Sequence, residues 1–373
     1  MSAFKKLGKK FKDLSPAAIR EIIVVIVILC LSVAISTPQF FEDRKKAEIQ
    51  MKVLLESKGF EIASPQKQGM DPAMFEEAYK LLENSSILSL TVIRNEKIVC
   101  EKYYSTESRN NVYSITKSII SALIGVAIRE GYIRSVDESI ETYLPQYFTS
   151  LKDQRWKQIT IKHLLTMTPG FCEDSDTWLA SDDWIKTIFD FPLQYDPGEK
   201  FQYANSASHL LSVVLTKATG MSTKDFADKY LFQPLDIVSP KWSTDPDGYY
   251  TGYSNIYLSP IDLAKFGWMY YSMGRWKGIQ VVPEEWIAES TIVHYDFSKE
   301  QKLEYESGYG YKWWINGQSG YHVYSARGYG GQSINVIPDL GLEVVITCVP
   351  NELSINDEMI VELLRGIIKS CKK

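Results

Sequence analysis

The stretch Ser114-Ile115-Thr116-Lys117, followed by SIISALIGVAI through Ile128, decides how this chain of 373 residues is interpreted. The run after Lys117 is almost entirely apolar, and Gly131 follows it as a stop signal, so the pattern predicts a helix that begins at Ser114. A serine and a lysine three residues apart lie on one face of a helix. The first turn also has free backbone N–H groups, and the helix dipole there favours an anion.

This arrangement makes Ser114 the candidate nucleophile and Lys117 its candidate base. Burial lowers the pKa of a lysine because desolvation disfavours the ammonium form, and a neutral Lys117 can accept the serine proton. A serine and a lysine at this spacing also occur by chance, the serine being an ordinary helix cap and the lysine a surface charge. The motif therefore needs support from the rest of the chain.

Two further motifs supply that support. Tyr203-Ala204-Asn205 places a phenol where a neighbouring ammonium would lower its pKa, so Tyr203 is a candidate general base or relay. Asn205 can hydrogen-bond both Lys117 and a substrate carbonyl. The segment ARGYGGQ (326–332) has glycines that allow close backbone approach to a ligand, and a backbone N–H there could complete an oxyanion hole. A tyrosine preceding a helix and a tight hairpin turn are the simpler explanations of these two segments.

The order of the three motifs is more specific than any one of them. Tyr203 follows Ser114 by about 90 residues, and the glycine-rich segment follows about 125 residues later. This order resembles the serine β-lactamase and penicillin-binding superfamily, in particular class C β-lactamases, D-alanyl-D-alanine peptidases, family VIII esterases and 6-aminohexanoate-dimer hydrolases. Connecting segments such as ITIKHLLTMTPGF (159–171) match as well. The resemblance covers about residues 67–370.

The resemblance implies a fold and a set of roles. The implied fold class is α/β (α+β), of the β-lactamase/transpeptidase type, with an antiparallel sheet flanked by helices and a mainly helical lobe. Ser114 would be acylated, Lys117 and Tyr203 would be the acid–base pair, and Asn205 would support the lysine. The remaining implied site residues are Gly328 and Tyr329, the latter sharing the oxyanion hole with Ser114 through its backbone N–H.

One departure from the family pattern bears on the substrate. Lactamases carry Lys-Thr-Gly where this chain has Ala326-Arg327-Gly328, so the lysine that binds a substrate carboxylate is absent, although Arg327 could substitute for it. The ARGYGGQ form is more similar to the esterase and 6-aminohexanoate-dimer hydrolase branch. No GxSxG elbow of the α/β-hydrolase type occurs in the chain.

Strand patterns occur at both ends of the chain and are separated by a mostly helical stretch, roughly 112–300. Asp71 and Pro72 begin a helix, and Leu88 to Tyr104 forms a hairpin that turns at Asn95-Glu96-Lys97. Later strands are predicted at 309–315, 321–326, 332–338 and 342–349, before a last helix over 356–369. The terminal pieces are expected to form one antiparallel sheet, with a cleft beside the helical insert.

The N-terminus predicts a membrane segment. Residues 1–20 carry six basic side chains and one acidic one, and an apolar run follows from Ile22 to Ile35. The positive-inside rule then places the N-terminus in the cytoplasm and the body of the protein outside it. A cleaved signal peptide and a buried core helix are the alternatives to a single-pass anchor. The expected organisation is a basic segment (1–21), a signal-anchor (22–37), a linker (38–66) and a hydrolase domain (67–373).

Composition excludes several classes of partner. The net charge is −5 although the N-terminus is basic, so the body is acidic, which argues against nucleic-acid binding. The five cysteines and four histidines show no metal-ligand spacing, and no metal or other cofactor is expected. The expected partners are a small-molecule or peptide substrate and, through the N-terminal helix, the membrane.

The sequence therefore predicts an exported, membrane-anchored serine hydrolase that cleaves an ester or amide through an acyl-enzyme on Ser114. Two alternatives stay open. One is β-lactamase or D-alanyl-D-alanine peptidase activity at the same site. The other is a module that binds or senses β-lactams or envelope peptides with little turnover.

Overall fold

The computed structural model describes residues 59–371, except positions 81, 83–84, 106–108, 150, 299–305 and 352–355. The predicted basic segment and signal-anchor (1–37) lie outside the described residues. Among the helices within the described ranges, none is long and apolar enough to cross a membrane.

The described elements alternate between a large sheet and a helical insert. The helices are α1 (Pro72–Lys80), α2 (Ile115–Arg129), α3 (Pro145–Phe148), α4 (Ile161–Leu165), α5 (Ser175–Leu179), α6 (Trp184–Phe189), α7 (Asn205–Thr219), α8 (Thr223–Ala227), α9 (Pro260–Tyr271), α10 (Glu284–Ser290) and α11 (Asp357–Ser370). The strands are β1 (Glu61–Ile62), β2 (Ile87–Arg94), β3 (Lys97–Tyr103), β4 (Asn110–Asn111), β5 (Lys241–Trp242), β6 (Ile256–Leu258), β7 (Arg275–Trp276), β8 (Ile279–Gln280), β9 (Tyr295–Asp296), β10 (Glu306–Tyr309), β11 (Trp314–Gln318), β12 (Tyr321–Gly328), β13 (Gln332–Ile337) and β14 (Leu342–Cys348). Single helical turns occupy Pro65–Gln68, Ile140–Thr142, Gln154–Gln158, Asp228–Phe232 and Pro338–Leu340.

Within the described residues, one sheet of nine strands has the order β1-β3-β2-β14-β13-β12-β11-β10-β9. Its neighbours are antiparallel, apart from the parallel pair β1 and β3. The two ends of the chain meet at the pair β2 and β14, where Leu90 lies opposite Ile346. This confirms the expectation that the terminal strands form one sheet.

Helices cover both faces of this sheet. One face packs under α1 and α11, with side chains such as Phe75 and Leu364 in that core. The other face packs against α2 and α9, in the larger core that continues into the helical insert. Strands β2, β13 and β14 are buried along their whole length, because water reaches neither face.

Helix α2 is the centre of the molecule. Its residues from Ile115 to Ala127 are all buried, as expected for a helix that is apolar on every side. It packs between β12 of the sheet and α7 of the helical lobe, which we define as α3–α8. The N-terminus of α2 therefore opens at the boundary between the sheet and the helical lobe, where Ser114 lies.

Two boundaries differ from the sequence predictions. The predicted strand 309–315 is wrong, because β10 ends at Tyr309 and β11 begins only at Trp314. Between them the backbone bonds to other elements: Tyr311 N donates to Ser290 O at 3.0 Å, and Lys312 N donates to Leu165 O at 3.2 Å.

The fold also begins earlier than residue 67. Phe60 is buried, with its ring edge against Trp268 and Trp276, and β1 pairs with β3. Residues 59–66, which the sequence assigned to the linker, are therefore part of the packed fold. Aromatic contacts between distant segments leave no local pattern in the sequence. For this reason the start of the domain was predicted at residue 67, later than it is observed.

Candidate active site

A tight turn presents Ser114 at the start of α2. Ile115 N donates to Val112 O at 3.2 Å, and Lys117 N donates to Ser114 O at 3.0 Å. Tyr113 occupies the left-handed region with a φ of 48° and is held there by a bond from its N–H to Asn111 Oδ1 at 2.9 Å. A non-glycine residue in this conformation costs on the order of 1–3 kcal/mol, and such strain is often found where a turn positions a reactive side chain.

Lys117 lies directly behind the serine. Its Nζ donates to Ser114 Oγ at 2.8 Å, to Asn205 Oδ1 at 2.8 Å and to the carbonyl of Tyr253 at 3.0 Å. The side chain is 1% exposed. Three oxygen acceptors, none of them a carboxylate, hold the amine in one position against the serine hydroxyl.

The charge state of Lys117 follows from this environment. Burial lowers the pKa of its amine to about 7, while the nearby carboxylate of Glu173 acts in the opposite direction. A substantial fraction of Lys117 is therefore neutral at neutral pH, as predicted from the sequence. A neutral amine 2.8 Å from a hydroxyl can accept its proton.

Tyr203 stands beside the same serine, but its charge state differs from the prediction. Burial of its hydroxyl raises the pKa to about 12, although a hydrogen bond with the Ser114 side chain lowers it in part. The ring lines the cleft, is 38% exposed and stacks on Trp314 with ring centroids 6.0 Å apart. The expected lowering of the Tyr203 pKa is thus wrong, because desolvation of the phenol is the larger effect and Lys117 is often neutral.

Asn205 is the first residue of α7, which explains how it reaches Lys117. Helix α7 packs on α2, so its N-terminus meets the N-terminal half of that helix. One turn further along α7, the buried His209 binds Asp245 Oδ2 at 2.9 Å. Its ring also lies against Trp178, which in turn contacts the ring of Tyr253. These contacts fix the helix and the loop that supply two of the three acceptors to Lys117.

The glycine-rich segment closes the site from the sheet side. A Cβ on Gly328 would lie 2.5 Å from the carbonyl of Val112, so only glycine lets the end of β12 approach the turn that precedes Ser114. Gly330 and Gly331 have φ values of 77° and 94° and carry the chain into β13. Tyr329, 73% exposed, has its ring edge-on to Tyr113.

These elements border an open cleft of about 520 Å³. The predicted site residues Ser114, Tyr203, Gly328 and Tyr329 line it, and Lys117 and Asn205 lie behind them. Further lining side chains include Trp314, Arg327, Asn351, Asn356 and Asp357. The structure thus brings all six predicted residues to one place. Within the described ranges, no group of acidic, histidine and cysteine side chains could hold a metal ion.

Sequence reasoning missed several residues of this site. Tyr253 contributes only a backbone carbonyl, for which no residue type gives a signal. Lys312 is a second fully buried lysine, with its Nζ 3.1 Å from Met167 Sδ, and its pKa is far below the usual range because of burial. Glu173 follows the TPGF turn in a short acidic run with Asp174 and Asp176, and its carboxylate acts on both lysines. An acidic residue or a lysine at these positions matches no short motif.

Comparison with known proteins gives a consistent result. The family model described as Beta-lactamase matches residues 83–354. An uncharacterised protein of Alkalihalophilus pseudofirmus is 27% identical over 237 residues, which are 55% of this chain and 64% of that protein. The chain therefore spans a little under two thirds of the length of this relative.

Solved structures share the fold. A putative 6-aminohexanoate-dimer hydrolase from Bacillus anthracis superposes with a TM-score of 0.67 at 17% identity, over 78% of this chain and 80% of that one. EstCE1, described as a hydrolase with promiscuous acyltransferase activity, superposes with a TM-score of 0.66 at 14% identity, over 79% of this chain and 98% of that one. At these identities the likeness concerns the fold.

Proposed function

Because the chain belongs to the β-lactamase and penicillin-binding superfamily of serine hydrolases, we propose that it cleaves an ester or amide bond through an acyl-enzyme on Ser114. The observation that carries the proposal is the hydrogen bond of 2.8 Å between the buried Lys117 amine and Ser114 Oγ. A hydroxyl next to a fixed, unprotonated base is one form of an activated serine nucleophile.

The geometry suggests how the protons move. Ser114 Oγ attacks the carbonyl carbon as its proton passes to Lys117 Nζ, and the bond to the leaving oxygen or nitrogen then breaks. Tyr203 is a neutral phenol at neutral pH, and its raised pKa of about 12 keeps it so; it is placed to protonate the leaving group. Water then attacks the ester on Ser114 by the reverse proton path, which releases the acid and restores the serine.

The negative oxygen formed during attack needs hydrogen-bond donors. Ser114, at the start of α2, and Tyr329, after Gly328, both line the cleft, and each has a backbone N–H that can donate. We assign the oxyanion hole to this pair, since fixed donors of this kind typically contribute about 3–4 kcal/mol each to catalysis. The close approach that only a glycine permits at position 328 supports this assignment.

Arg327 bears on the choice of substrate. Its guanidinium lies 3.6 Å from Asp357 Oδ2, donates to Asn316 Oδ1 at 3.2 Å and stacks over Trp314. The side chain is only 13% exposed. The positive charge of Arg327 is thus already opposed by the Asp357 carboxylate. Because of this pairing, we expect the site to prefer neutral esters and amides to β-lactams, which carry a free carboxylate.

A substrate panel tests this proposal. Full-length protein is assayed with a p-nitrophenyl ester, a p-nitroanilide and a chromogenic cephalosporin, in parallel with labelling by a fluorophosphonate. We expect labelling and turnover, with a higher kcat/KM for a neutral substrate than for the cephalosporin. A cephalosporin that surpassed both neutral substrates would instead identify a β-lactamase. Labelling with no turnover of any substrate would indicate a binding or sensing module.

We further propose that the catalytic domain lies outside the cytoplasm, anchored by a single membrane segment over residues 22–37. The support is the sequence alone: six basic residues precede the apolar run against two acidic ones, Asp13 and Glu21. A reporter enzyme that is active only outside the cytoplasm is expected to be active when it is fused after Lys373. Activity of a reporter that works only in the cytoplasm would show that the orientation is wrong.

A further inference from the structure

The loop that follows α4 places an acidic side chain, Glu173, against the catalytic groups. Cys172 Sγ lies 3.2 Å from Gln194 Oε1 and also contacts the side chain of Gln202, the residue before Tyr203. The backbone at Glu173 is therefore fixed to the segment that carries the tyrosine. A side chain anchored in this way has a defined position.

The carboxylate itself is bound at the start of α7. Ser206 N donates to Glu173 Oε2 at 2.7 Å, and Ser175 Oγ donates to Oε1 at 3.0 Å. Free N–H groups and the helix dipole stabilise a negative charge at this end of a helix. Asn205, the neighbour of Ser206, is the residue that accepts a hydrogen bond from Lys117 Nζ at 2.8 Å. Glu173 is thus tied to the same helix turn that holds the lysine.

The groups on which the charge of Glu173 acts come from four segments of the site. Its charge acts on Lys117 of α2, on Tyr203 before α7, on Tyr253 of the loop before β6 and on Lys312 before β11. Two of these are fully buried lysines. Among the described residues, the hydrogen-bond partner of Lys312 Nζ is the thioether of Met167, a weak acceptor that does not compensate a positive charge.

The acyl-transfer step makes this carboxylate useful. When Ser114 attacks, its proton moves to Lys117, and a positive charge appears in a site where Lys117 has three neutral oxygen acceptors. A buried cation without a counter-charge is costly, and a fixed carboxylate nearby lowers that cost. Glu173 does not line the cleft, so it would act through the lysine without touching substrate.

We propose that Glu173 is a positioning residue which serves as the counter-ion of the Lys117 ammonium formed during acyl transfer. The proposal rests on the proposed function, in which Lys117 accepts the proton of Ser114. It predicts a change in pH dependence that a packing role for Glu173 would not produce.

The direction of that change follows from the two opposing effects on Lys117. Burial lowers its pKa and the negative charge of Glu173 raises it. Removing the charge leaves burial unopposed, so the pKa of Lys117 falls further below its present value of about 7. Since the neutral amine is the active form, the acid limb of the pH–rate profile moves to lower pH. The maximal rate falls at the same time, because the weaker base forms an uncompensated cation.

The test uses the full-length protein and the rate of fluorophosphonate labelling at Ser114 across pH. Glu173→Gln removes the charge and keeps an acceptor for Ser206 N. Glu173→Ala removes the charge together with that acceptor. We expect both to label on the order of tenfold more slowly at their optimum. Both should also show an acid limb displaced to lower pH.

Two matched variants serve as controls. Glu173→Asp keeps a negative charge, so the acid limb of its pH–rate profile should stay near the pH found for the wild-type protein. Asp174→Asn removes the charge of the adjacent acid, which is the N-cap of α5. Asparagine is also a good N-cap, so the labelling rate and the pH of the acid limb should stay unchanged.

The outcomes separate this inference from the proposed function. If the wild-type protein is labelled at Ser114 but the limb stays in place in both charge-removing variants, the counter-ion role is overturned and the serine mechanism survives. If the wild-type protein is not labelled at Ser114, the proposed function fails and this inference fails with it.

Discussion

We expect Ser114→Ala to lower kcat for the preferred substrate by a factor on the order of 10³ or more and to abolish the covalent intermediate. The reason is that, in the proposed mechanism, the hydroxyl held by Lys117 at 2.8 Å is the atom that attacks the carbonyl. The fold should be unaffected, because the hydroxyl of Ser114 faces the cleft and supports no helix cap. Steady-state kinetics on the ester and the anilide, with thermal unfolding measured in parallel, check this expectation.

Ser121→Ala is the matched control for that experiment. Ser121 lies on the same helix, is fully buried and does not line the cleft. Removing this hydroxyl leaves Ser114, Lys117 and Tyr203 in place, so activity should remain close to wild type. If Ser114→Ala instead retained wild-type turnover, the nucleophile would lie elsewhere and the mechanism would be wrong.

The second large effect concerns the pair Lys117 and Tyr203. Each of Lys117→Ala and Tyr203→Phe is expected to reduce kcat/KM by on the order of 10²–10⁴, as for the loss of a general acid or base. Because both side chains lie beside Ser114 and share one proton path in the proposed mechanism, the double variant should lose little more than the worse single variant. Steady-state kcat/KM of the four proteins measures this coupling.

Tyr203→Phe is informative because it preserves the ring. The stack on Trp314 at 6.0 Å remains, so a loss of activity reports the hydroxyl and not the packing of the cleft. If Tyr203→Phe retained most of the activity, Tyr203 would only line the cleft and would take no part in proton transfer. Losses that simply added in the double variant would contradict the shared proton path even if Ser114 were confirmed as nucleophile.

The pH profile of the wild-type enzyme belongs to the same prediction. The pKa of Lys117 is about 7, and only its neutral form accepts the serine proton. We therefore expect kcat/KM to rise as pH increases through about 7 and to be low where the lysine is charged. Tyr203, whose pKa is about 12, stays a neutral phenol throughout this range.

Much of this site could be predicted because its signals are local or ordered along the chain. The apolar run after Lys117 specifies a buried helix, so its first residue could be placed without any tertiary information. The hairpin of β2 and β3 turns at Asn95 and Glu96, both with positive φ, as the sequence indicated. The order of three motifs identified the superfamily although each motif alone is weak.

What the sequence did not predict depends on contacts between distant segments. The carbonyl of Tyr253 reaches Lys117 only because the loop carrying it packs against Trp178. Glu173 acquires its role from a hydrogen bond to the start of α7, which no spacing rule describes. The direction of the Tyr203 pKa was mispredicted for a related reason: a neighbouring lysine was assumed to be charged, whereas burial keeps much of it neutral.

Mass spectrometry of the trapped intermediate tests the central claim most directly. Full-length protein is mixed with the preferred ester, quenched in acid within the steady state and digested, and the peptide containing Ser114 is examined. The account predicts that this peptide gains the mass of the acyl group, that the gain disappears when substrate is exhausted, and that Ser114→Ala shows none. Turnover with no adduct on Ser114, or an acyl group on another residue of the cleft, would contradict it.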